Sequence, residues 1–237
     1  MKVQAIVPAA GEGRRFSKRK DKPLVLLKGK PLFIYPLLVM EGCPFIDSVI
    51  VVAQENNIKR FKELVGKFAL TKVKKIVAGG DRRCDSVKNA LACLDQDTRG
   101  VLIHDGVRPF LTSALMEKAL MGMRQEKAVV VAVPVKPTIK KVDPKNLYVQ
   151  ETLVRDTLWE IQTPQVFHKD LLEEAYQKML CCEPRKEVLA SPLRGDPTDD
   201  AVLVEKLGVR VKVVMGDYQN IKITTPEDLK WAETFLK

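Results

Sequence analysis

The length, composition and charge of this sequence exclude several classes of protein. Its 237 residues allow one large domain or two small ones, and the 46% that are hydrophobic can form a sizeable core. No apolar run approaches the ~18 residues of a membrane-spanning helix, and the first residues do not form a signal-peptide pattern. Five scattered cysteines and two histidines lack the spacing of a zinc site. We therefore expect a cytoplasmic protein without a membrane partner, whose formal net charge of +10 favours anionic ligands.

Strands and helices are predicted to alternate along the first half of the chain. Hydrophobic periodicity and capping residues predict strands at 3–7, 48–53, 73–77, 100–103 and 128–135, and helices at 31–40, 56–68, 85–94 and 112–124. This alternation is typical of an α/β fold with a doubly wound, mostly parallel sheet and helices on both faces.

The alternation stops after the strand at 128–135. Residues 136–155 are predicted to form a β-arm that projects from the domain and exposes apolar side chains, so we expect homodimerisation through this arm. The chain then returns through 159–167 into a helix at 169–180, followed by a proline-rich loop at 181–197. A helix at 198–207 capped by Thr198, a strand at 209–214 and a last helix opening at Thr225-Pro226 complete the prediction.

The first polar segment follows the apolar strand 3–7 and leads into a run of cations; it reads Pro8-Ala9-Ala10-Gly11-Glu12-Gly13. Small residues let backbone N–H groups approach phosphate oxygens, and Arg or Lys side chains then neutralise the charge. The segment lacks the third glycine of a dinucleotide-binding fingerprint and the Gly-Lys-Ser/Thr ending of a P-loop. It is consistent with a triphosphate site, while an ordinary βα turn with a solvated basic helix start remains the alternative.

Three more polar clusters follow predicted strands, at 79–86, 104–109 and 220–224. Ligands of open α/β sheets bind beyond the carboxyl ends of the strands, so these clusters are candidate site residues. Each also has a structural explanation: a glycine turn with an Asp/Ser cap, an internal Asp–Arg ion pair, or a solvated lysine on an edge strand. The lysine in question is Lys222, which we predict to lie within an apolar strand. His104 is predicted to be a packed, hydrogen-bonded residue.

Taken together and in this order, these motifs resemble one family over essentially the full length of the chain. The resemblance is to the 2-C-methyl-D-erythritol 4-phosphate cytidylyltransferase family of the non-mevalonate isoprenoid pathway. It depends on Pro8-Ala9-Ala10-Gly11-Glu12-Gly13-Arg14-Arg15, Gly79-Gly80-Asp81 with Ser86-Val87, His104-Asp105 with Arg108-Pro109, Thr163-Pro164-Gln165, Thr198-Asp199-Asp200-Ala201 and Asn220-Ile221-Lys222-Ile223-Thr224.

The resemblance implies a fold, a reaction and a set of site residues. It implies one Rossmann-like nucleotidyltransferase domain over 1–237 that transfers a cytidylyl group from CTP to methylerythritol 4-phosphate with Mg²⁺, releasing pyrophosphate. The implied catalytic residues are Arg15, Lys22 and Lys222. The implied nucleotide-binding residues are Ala9, Ala10, Gly11, Gly80, Asp81, Ser86 and Asp105, the last of which is also the candidate metal ligand. The implied residues for the alcohol phosphate are Arg108, Thr138, Arg155 and Thr198, with Thr138 and Arg155 supplied by the arm of the neighbouring subunit.

Three segments depart from the family pattern. Asp21-Lys22-Pro23 replaces the usual Pro-Lys-Gln/Ala, Asp105-Gly106-Val107-Arg108 replaces Asp-Ala-Ala-Arg, and the 181–197 stretch is longer than typical. Two alternative functions stay open at this point. One is a ribitol-5-phosphate cytidylyltransferase with the same nucleotide half. The other is a non-catalytic, basic nucleic-acid-binding protein. The intact set of Arg15, Lys22, Asp105 and Lys222 argues against it, so we expect no nucleic-acid partner.

Overall fold

The structure is a computed structural model that describes residues 1–11, 21–181 and 197–236. The strands are β1 (Val3–Pro8), β2 (Leu26–Leu27), β3 (Lys30–Pro31), β4 (Ser48–Ala53), β5 (Val73–Ala78), β6 (Gly100–Ile103), β7 (Ala128–Pro134), β8 (Lys140–Val142), β9 (Val149–Thr152), β10 (Trp159–His168) and β11 (Lys212–Met215). The α-helices are α1 (Ile34–Gly42), α2 (Ile58–Lys67), α3 (Arg83–Leu91), α4 (Ser113–Gly122), α5 (Lys169–Cys181), α6 (Ala201–Glu205) and α7 (Pro226–Phe235).

A seven-stranded sheet in the order β11-β7-β10-β6-β1-β4-β5 forms the centre of the described part of the chain. Neighbouring strands are parallel except at β10, which is antiparallel to both β6 and β7. Side chains of β1 alternate between two buried clusters: Ala5 and Val7 pack with α1, α2 and α4, whereas Ile6 packs with α3 and α5. Helices therefore cover both faces, and the predicted doubly wound, mostly parallel α/β fold is confirmed.

Several predicted boundaries are wrong for identifiable reasons. The first helix begins at Ile34 rather than at residue 31, because Pro31 pairs with Leu26 in the β2–β3 hairpin. Thr198 does not cap a helix at 198–207: α6 begins at Ala201 and its N-cap is Asp200. The last strand of the sheet starts at Lys212 instead of residue 209.

Lys222 does not lie in a strand, which corrects a prediction that matters for the site. Residues 220–224 form an irregular segment before α7. The backbone N–H of Ile223 donates to Val107 O at 2.9 Å, so the segment is attached to the loop after β6 rather than to a sheet edge. The last helix does open as predicted, since the Thr225 side chain and Asp228 form a capping box.

The predicted β-arm is present as the antiparallel pair β8–β9, outside the central sheet. Its tip exposes apolar surface: Leu147 is 77% and Tyr148 74% accessible. The predicted loop at 181–197 falls, apart from its two ends, outside the described residues. None of the helices in the described ranges combines the length and the apolar character that crossing a membrane requires.

Candidate active site

A cleft with a volume of about 860 Å³ opens at the carboxyl ends of β1, β4, β5 and β6. All nucleotide-binding residues implied by the resemblance lie on its wall, together with two of the three implied catalytic residues. They are Ala9, Ala10, Gly11, Lys22, Gly80, Asp81, Ser86, Asp105 and Lys222. The third catalytic candidate, Arg15, lies outside the described residues. The sheet thus brings together residues that are more than two hundred positions apart in sequence, such as Ala9 and Lys222.

The wall formed by the first loop is packed against the glycine turn after β5. The backbone N–H of Ala9 donates to Val52 O at 2.8 Å, which extends the β1–β4 pairing into the loop. A Cβ atom on Gly79 would lie 2.4 Å from the Cβ of Ala10 and 2.8 Å from Ser86 Oγ, so this close approach needs glycine. Ser86 Oγ accepts a hydrogen bond from Gly80 N at 3.1 Å. The Ser86 hydroxyl therefore fixes the turn and still has its own proton to donate.

The N-terminus of α3 faces the same cleft. Arg82 is its N-cap, and the Arg82 side chain forms an ion pair with Asp85 at 2.8 Å. This hydrogen bond is the largest influence on Asp85 and lowers the pKa of its carboxyl. The positive end of a helix dipole favours an anion, so this wall is suited to phosphate oxygens.

Asp105 is the electrostatic centre of the cleft. Its carboxylate lies 2.9 Å from Lys222 Nζ, 3.4 Å from Arg83 Nε and 3.5 Å from Arg108 Nε, and its side chain is only 8% exposed. Burial alone would raise the pKa of this carboxyl, but the attraction of Lys222, Arg83 and Arg108 holds it well below its usual value. Asp105 is therefore ionised and surrounded by cations.

Arg108 belongs to the internal ion pair that the sequence left open as an alternative. Its side chain is 7% exposed, and its Nη1 donates to the carbonyl of Asn220 at 2.7 Å. The amide of Asn220 in turn donates to Thr163 O at 2.7 Å. Arg108 thus connects Asp105 to the segment that carries Lys222, and it does not line the cleft.

His104 is a packed residue, as predicted. It is fully buried, with Nδ1 3.0 Å from Thr163 Oγ1 and Nε2 3.3 Å from the carbonyl oxygen of Arg108. Burial is the main reason that the pKa of His104 falls to about 4. The Thr163 hydroxyl also accepts a hydrogen bond from Asp105 N at 3.1 Å, so this group positions the backbone of Asp105.

Two of the three departures from the family pattern have a structural explanation. Lys22 begins a short 3-10 turn over Lys22–Leu24, and the preceding Asp21 accepts a hydrogen bond from the Asn57 amide at 2.6 Å. The turn that carries Lys22 is thereby tied to the chain after β4. Gly106 lies beneath the first loop, where a Cβ atom would sit 3.2 Å from the Cβ of Ala9 and 3.3 Å from a backbone oxygen. Glycine relieves this contact beneath the first loop.

Comparison with known proteins decides the family. The model of the 2-C-methyl-D-erythritol 4-phosphate cytidylyltransferase family matches residues 3–237. The chain belongs to this family.

Similar proteins of known sequence agree over the whole chain. A 2-C-methyl-D-erythritol 4-phosphate cytidylyltransferase of Geotalea uraniireducens is 43% identical over 240 residues, covering 100% of this chain and 97% of the relative. One of Alkaliphilus metalliredigens is also 43% identical and covers 96% of this chain and 90% of that protein.

Solved structures give the same result. The crystal structure of 4-diphosphocytidyl-2C-methyl-D-erythritol synthase from Anaerococcus prevotii is 34% identical with a TM-score of 0.82, covering 99% of this chain and 98% of that one. The 2-C-methyl-D-erythritol 4-phosphate cytidylyltransferase from Thermus thermophilus is 27% identical with a TM-score of 0.76, covering 99% and 98%. The chain is thus a CTP-dependent cytidylyltransferase with the nucleotidyltransferase fold.

The family resemblance assigns four residues to the alcohol phosphate. These residues do not come together within the described part of one chain. Thr138 and Arg155 are exposed on the arm, and Arg155 Nη1 donates to Lys136 O at 3.4 Å. Thr198 is exposed just before α6, outside the cleft. Their roles, like that of Arg108, stay predictions.

Sequence reasoning missed three polar residues that line the cleft. Gln54, Glu55 and Asn56 follow β4 directly, so the rule that ligands bind at the carboxyl ends of strands could have identified them. Arg83, which lines the cleft at the start of α3, lay within the predicted cluster 79–86 but was given no role of its own.

No three His, Cys, Asp or Glu side chains within the described ranges come together to hold a metal ion. Asp105, the predicted ligand, faces three cations through its two oxygens. The described residues therefore do not fit a metal cage built by the protein. Cytidylyltransferases of this kind generally use a divalent metal ion. If that ion is Mg²⁺, phosphate oxygens and water are its preferred ligands.

Proposed function

We propose that this cleft binds CTP and transfers its cytidylyl group to 2-C-methyl-D-erythritol 4-phosphate. The products are 4-diphosphocytidyl-2-C-methyl-D-erythritol and pyrophosphate. The observation that carries the proposal is the cation-lined cleft itself: Lys22 and Lys222 converge on one space with a glycine turn and a helix N-terminus. Nothing in the family or the named relatives favours ribitol phosphate or nucleic acid as the substrate.

The chemistry requires charge neutralisation more than proton transfer. The attacking group is a phosphate monoester that is already anionic at neutral pH, so no general base is needed. Its oxygen forms a bond to the α-phosphorus of CTP while the bond from that phosphorus to the bridging oxygen breaks, and pyrophosphate leaves with the electron pair. Each like-charge pair at 4 Å costs about 4 kcal/mol at an effective dielectric constant of about 20.

Positioning and fixed cations therefore account for the catalysis. Asp105 holds the Lys222 ammonium at 2.9 Å, so that the lysine is in place before the nucleotide binds. Lys22 approaches from the turn that Asp21 and Asn57 fix. Arg15, which precedes that turn in sequence, completes the predicted catalytic set.

The glycine turn and the α3 N-terminus form the part of the cleft that we assign to the cytosine, ribose and nearby phosphates. Ser86 can donate its hydroxyl proton to the base or sugar, and Gly80 allows the backbone to come close. Mg²⁺ is the divalent ion that we expect; it would be held chiefly by the triphosphate and water and would screen the phosphate charges.

We further propose that the protein is a cytoplasmic homodimer whose single domain supplies an arm to its neighbour. The alcohol phosphate would then be bound by Arg108 and Thr198 of one subunit together with the arm residues Thr138 and Arg155 of the other. The exposed apolar tip of the arm supports this, because an isolated projecting hairpin with Leu147 and Tyr148 more than 70% exposed is an unfavourable free surface.

Pyrophosphate release tests the proposed reaction. The purified protein is mixed with CTP and Mg²⁺, and with methylerythritol 4-phosphate, ribitol 5-phosphate or no alcohol phosphate. We expect release that depends on methylerythritol 4-phosphate and is at least tenfold slower with ribitol 5-phosphate. Faster turnover with ribitol 5-phosphate would identify the protein instead as a ribitol-5-phosphate cytidylyltransferase. An absence of pyrophosphate release combined with salt-sensitive binding of DNA or RNA would support a non-catalytic nucleic-acid-binding protein.

A further inference from the structure

Arg83 joins two carboxylates that belong to different parts of the cytidylyltransferase. It is the first residue of α3, and its side chain is 24% exposed and lines the cleft. Its Nη2 lies 2.8 Å from Asp200 Oδ2 and its Nε lies 3.4 Å from Asp105 Oδ1. A guanidinium presents several donors in a fixed plane, so one side chain can bridge the two carboxylates in a set geometry.

The far end of this bridge is rigidly held. Asp200 is fully buried, and its second carboxylate oxygen accepts a hydrogen bond from the Tyr176 hydroxyl of α5 at 2.6 Å. The backbone N–H of Asp200 donates to Gln165 Oε1 of β10 at 3.2 Å. Burial raises the pKa of Tyr176, so its hydroxyl is a permanent proton donor here. Asp200 is thus fixed by a helix, a strand and Arg83.

Asp200 is also two residues from Thr198, the residue predicted to contact the alcohol phosphate. Between them lies Asp199, whose carboxylate accepts from the Gln165 amide at 2.8 Å. Any shift of Asp200 therefore moves Thr198 relative to the Asp105–Lys222 pair. Displacements of about 1 Å in positioning groups can change rates by about two orders of magnitude.

We propose that Arg83 and Asp200 are a pair of positioning residues that hold the Thr198 segment in register with Asp105 and Lys222. The pair sets the affinity of the enzyme for its alcohol phosphate, whereas CTP is held by the loops after β1 and β5. Asp200 does not line the cleft, so its influence on turnover is indirect. This inference rests on the proposed function, because the alcohol phosphate is the ligand that Thr198 is expected to contact.

The test separates KM for methylerythritol 4-phosphate from the affinity for CTP. Asp200→Asn preserves the shape and the acceptor for Tyr176 but removes the charge that Arg83 binds. We expect KM for methylerythritol 4-phosphate to rise at least tenfold, while Kd for CTP, measured by calorimetry, stays within twofold. The matched control is Asp97→Asn, which neutralises an exposed aspartate paired with Lys2 away from the cleft and should change neither constant.

A purely structural role would give a different result. It would lower the fraction of active enzyme, so that kcat falls and both substrate constants remain at the wild-type values; that outcome, or an equal loss of CTP affinity, overturns the inference. If Asp200→Asn does not fold, Tyr176→Phe removes one hydrogen bond and leaves the ion pair. It should still raise KM for the alcohol phosphate about threefold, and an unchanged KM would count against the proposal.

A double-mutant cycle tests the pairing itself. Arg83→Lys keeps the charge but loses the planar array of donors that fixes the two carboxylates, so its effect on KM should not add to that of Asp200→Asn. The double variant is expected to resemble the single variants, and multiplicative effects would mean that the two residues act separately. Wild-type protein is assayed first, and its failure to use methylerythritol 4-phosphate would refute the proposed function. Normal wild-type turnover, with variants whose KM for methylerythritol 4-phosphate is unchanged, would refute only the positioning role of Arg83 and Asp200.

Discussion

Replacing Lys222 with alanine separates its catalytic contribution from its structural one. Lys222 Nζ lies 2.9 Å from Asp105, but its side chain is 35% exposed, and the carboxylate keeps Arg83 at 3.4 Å and Arg108 at 3.5 Å after the change. A partly exposed ion pair contributes about 0–1 kcal/mol to stability. In a chain of this length such a loss lowers Tm by at most about 2–4 °C.

The same change should affect catalysis far more strongly. Loss of one preorganised group that stabilises developing charge typically lowers kcat by about 10²–10³, or about 2.7–4 kcal/mol in activation free energy. We therefore expect Lys222→Ala to fold normally and to lose at least two orders of magnitude in kcat. Steady-state pyrophosphate release measures kcat, and thermal unfolding measures Tm.

Lys178→Ala is the matched control, since Lys178 is an exposed lysine of α5 whose ion pair with Glu174 lies away from the cleft. It should retain both kcat and Tm. A kcat of Lys222→Ala within threefold of wild type would refute the catalytic assignment. A fall in Tm of more than 10 °C would show instead that the lysine is chiefly structural.

Three further predictions concern the cleft wall, a buried histidine and the arm. Gly79→Ala should weaken CTP binding at least tenfold by calorimetry, because its Cβ would lie 2.4 Å from that of Ala10. His104 has its pKa lowered to about 4, below the ordinary value of 6.5, so it stabilises the fold above pH 6.5 and this contribution is lost as the pH falls toward 4. Urea unfolding should show about 3 kcal/mol of this loss in wild type and not in His104→Phe. Mixed dimers of inactive Lys22→Ala and Arg155→Ala subunits should recover part of the activity, because each active site would draw its arm from the neighbour.

Each of these three predictions would be contradicted by a specific result. Gly66→Ala, where a Cβ meets nothing within 4 Å, controls for the glycine change, and equal CTP affinity in Gly79→Ala would show that the turn tolerates a side chain. An identical pH dependence of unfolding in wild type and His104→Phe would exclude His104 as its source. An absence of complementation in verified mixed dimers would argue that each site is complete within one chain.

Much of this site could be predicted because the fold brings the ends of parallel strands together. Alternating strands and helices predicted the sheet, and small residues after β1 and β5 predicted the two loops that face each other. The close approach of Gly79 to Ala10 shows why those positions carry small residues. The same rule predicted Asp105, which is separated from the end of β6 by one residue.

The remaining features depend on tertiary contacts that local patterns do not encode. Lys222 looked like a strand residue because isoleucines flank it, yet the segment is held by Arg108 and Asn220 instead of a β-ladder. Thr198 looked like a helix cap, but Asp200 takes that position because Gln165 and Arg83 fix it from elsewhere in the chain. Contacts more than thirty residues apart in sequence decide both cases.

A crystal structure of the protein with CTP and Mg²⁺ would test the assignment of the cleft directly. Cytosine should lie against Gly80 and Ser86, and the triphosphate should lie within hydrogen-bond distance of the ammonium groups of both Lys22 and Lys222. A nucleotide bound outside this cleft, or one whose phosphates point away from the two lysines, would contradict it.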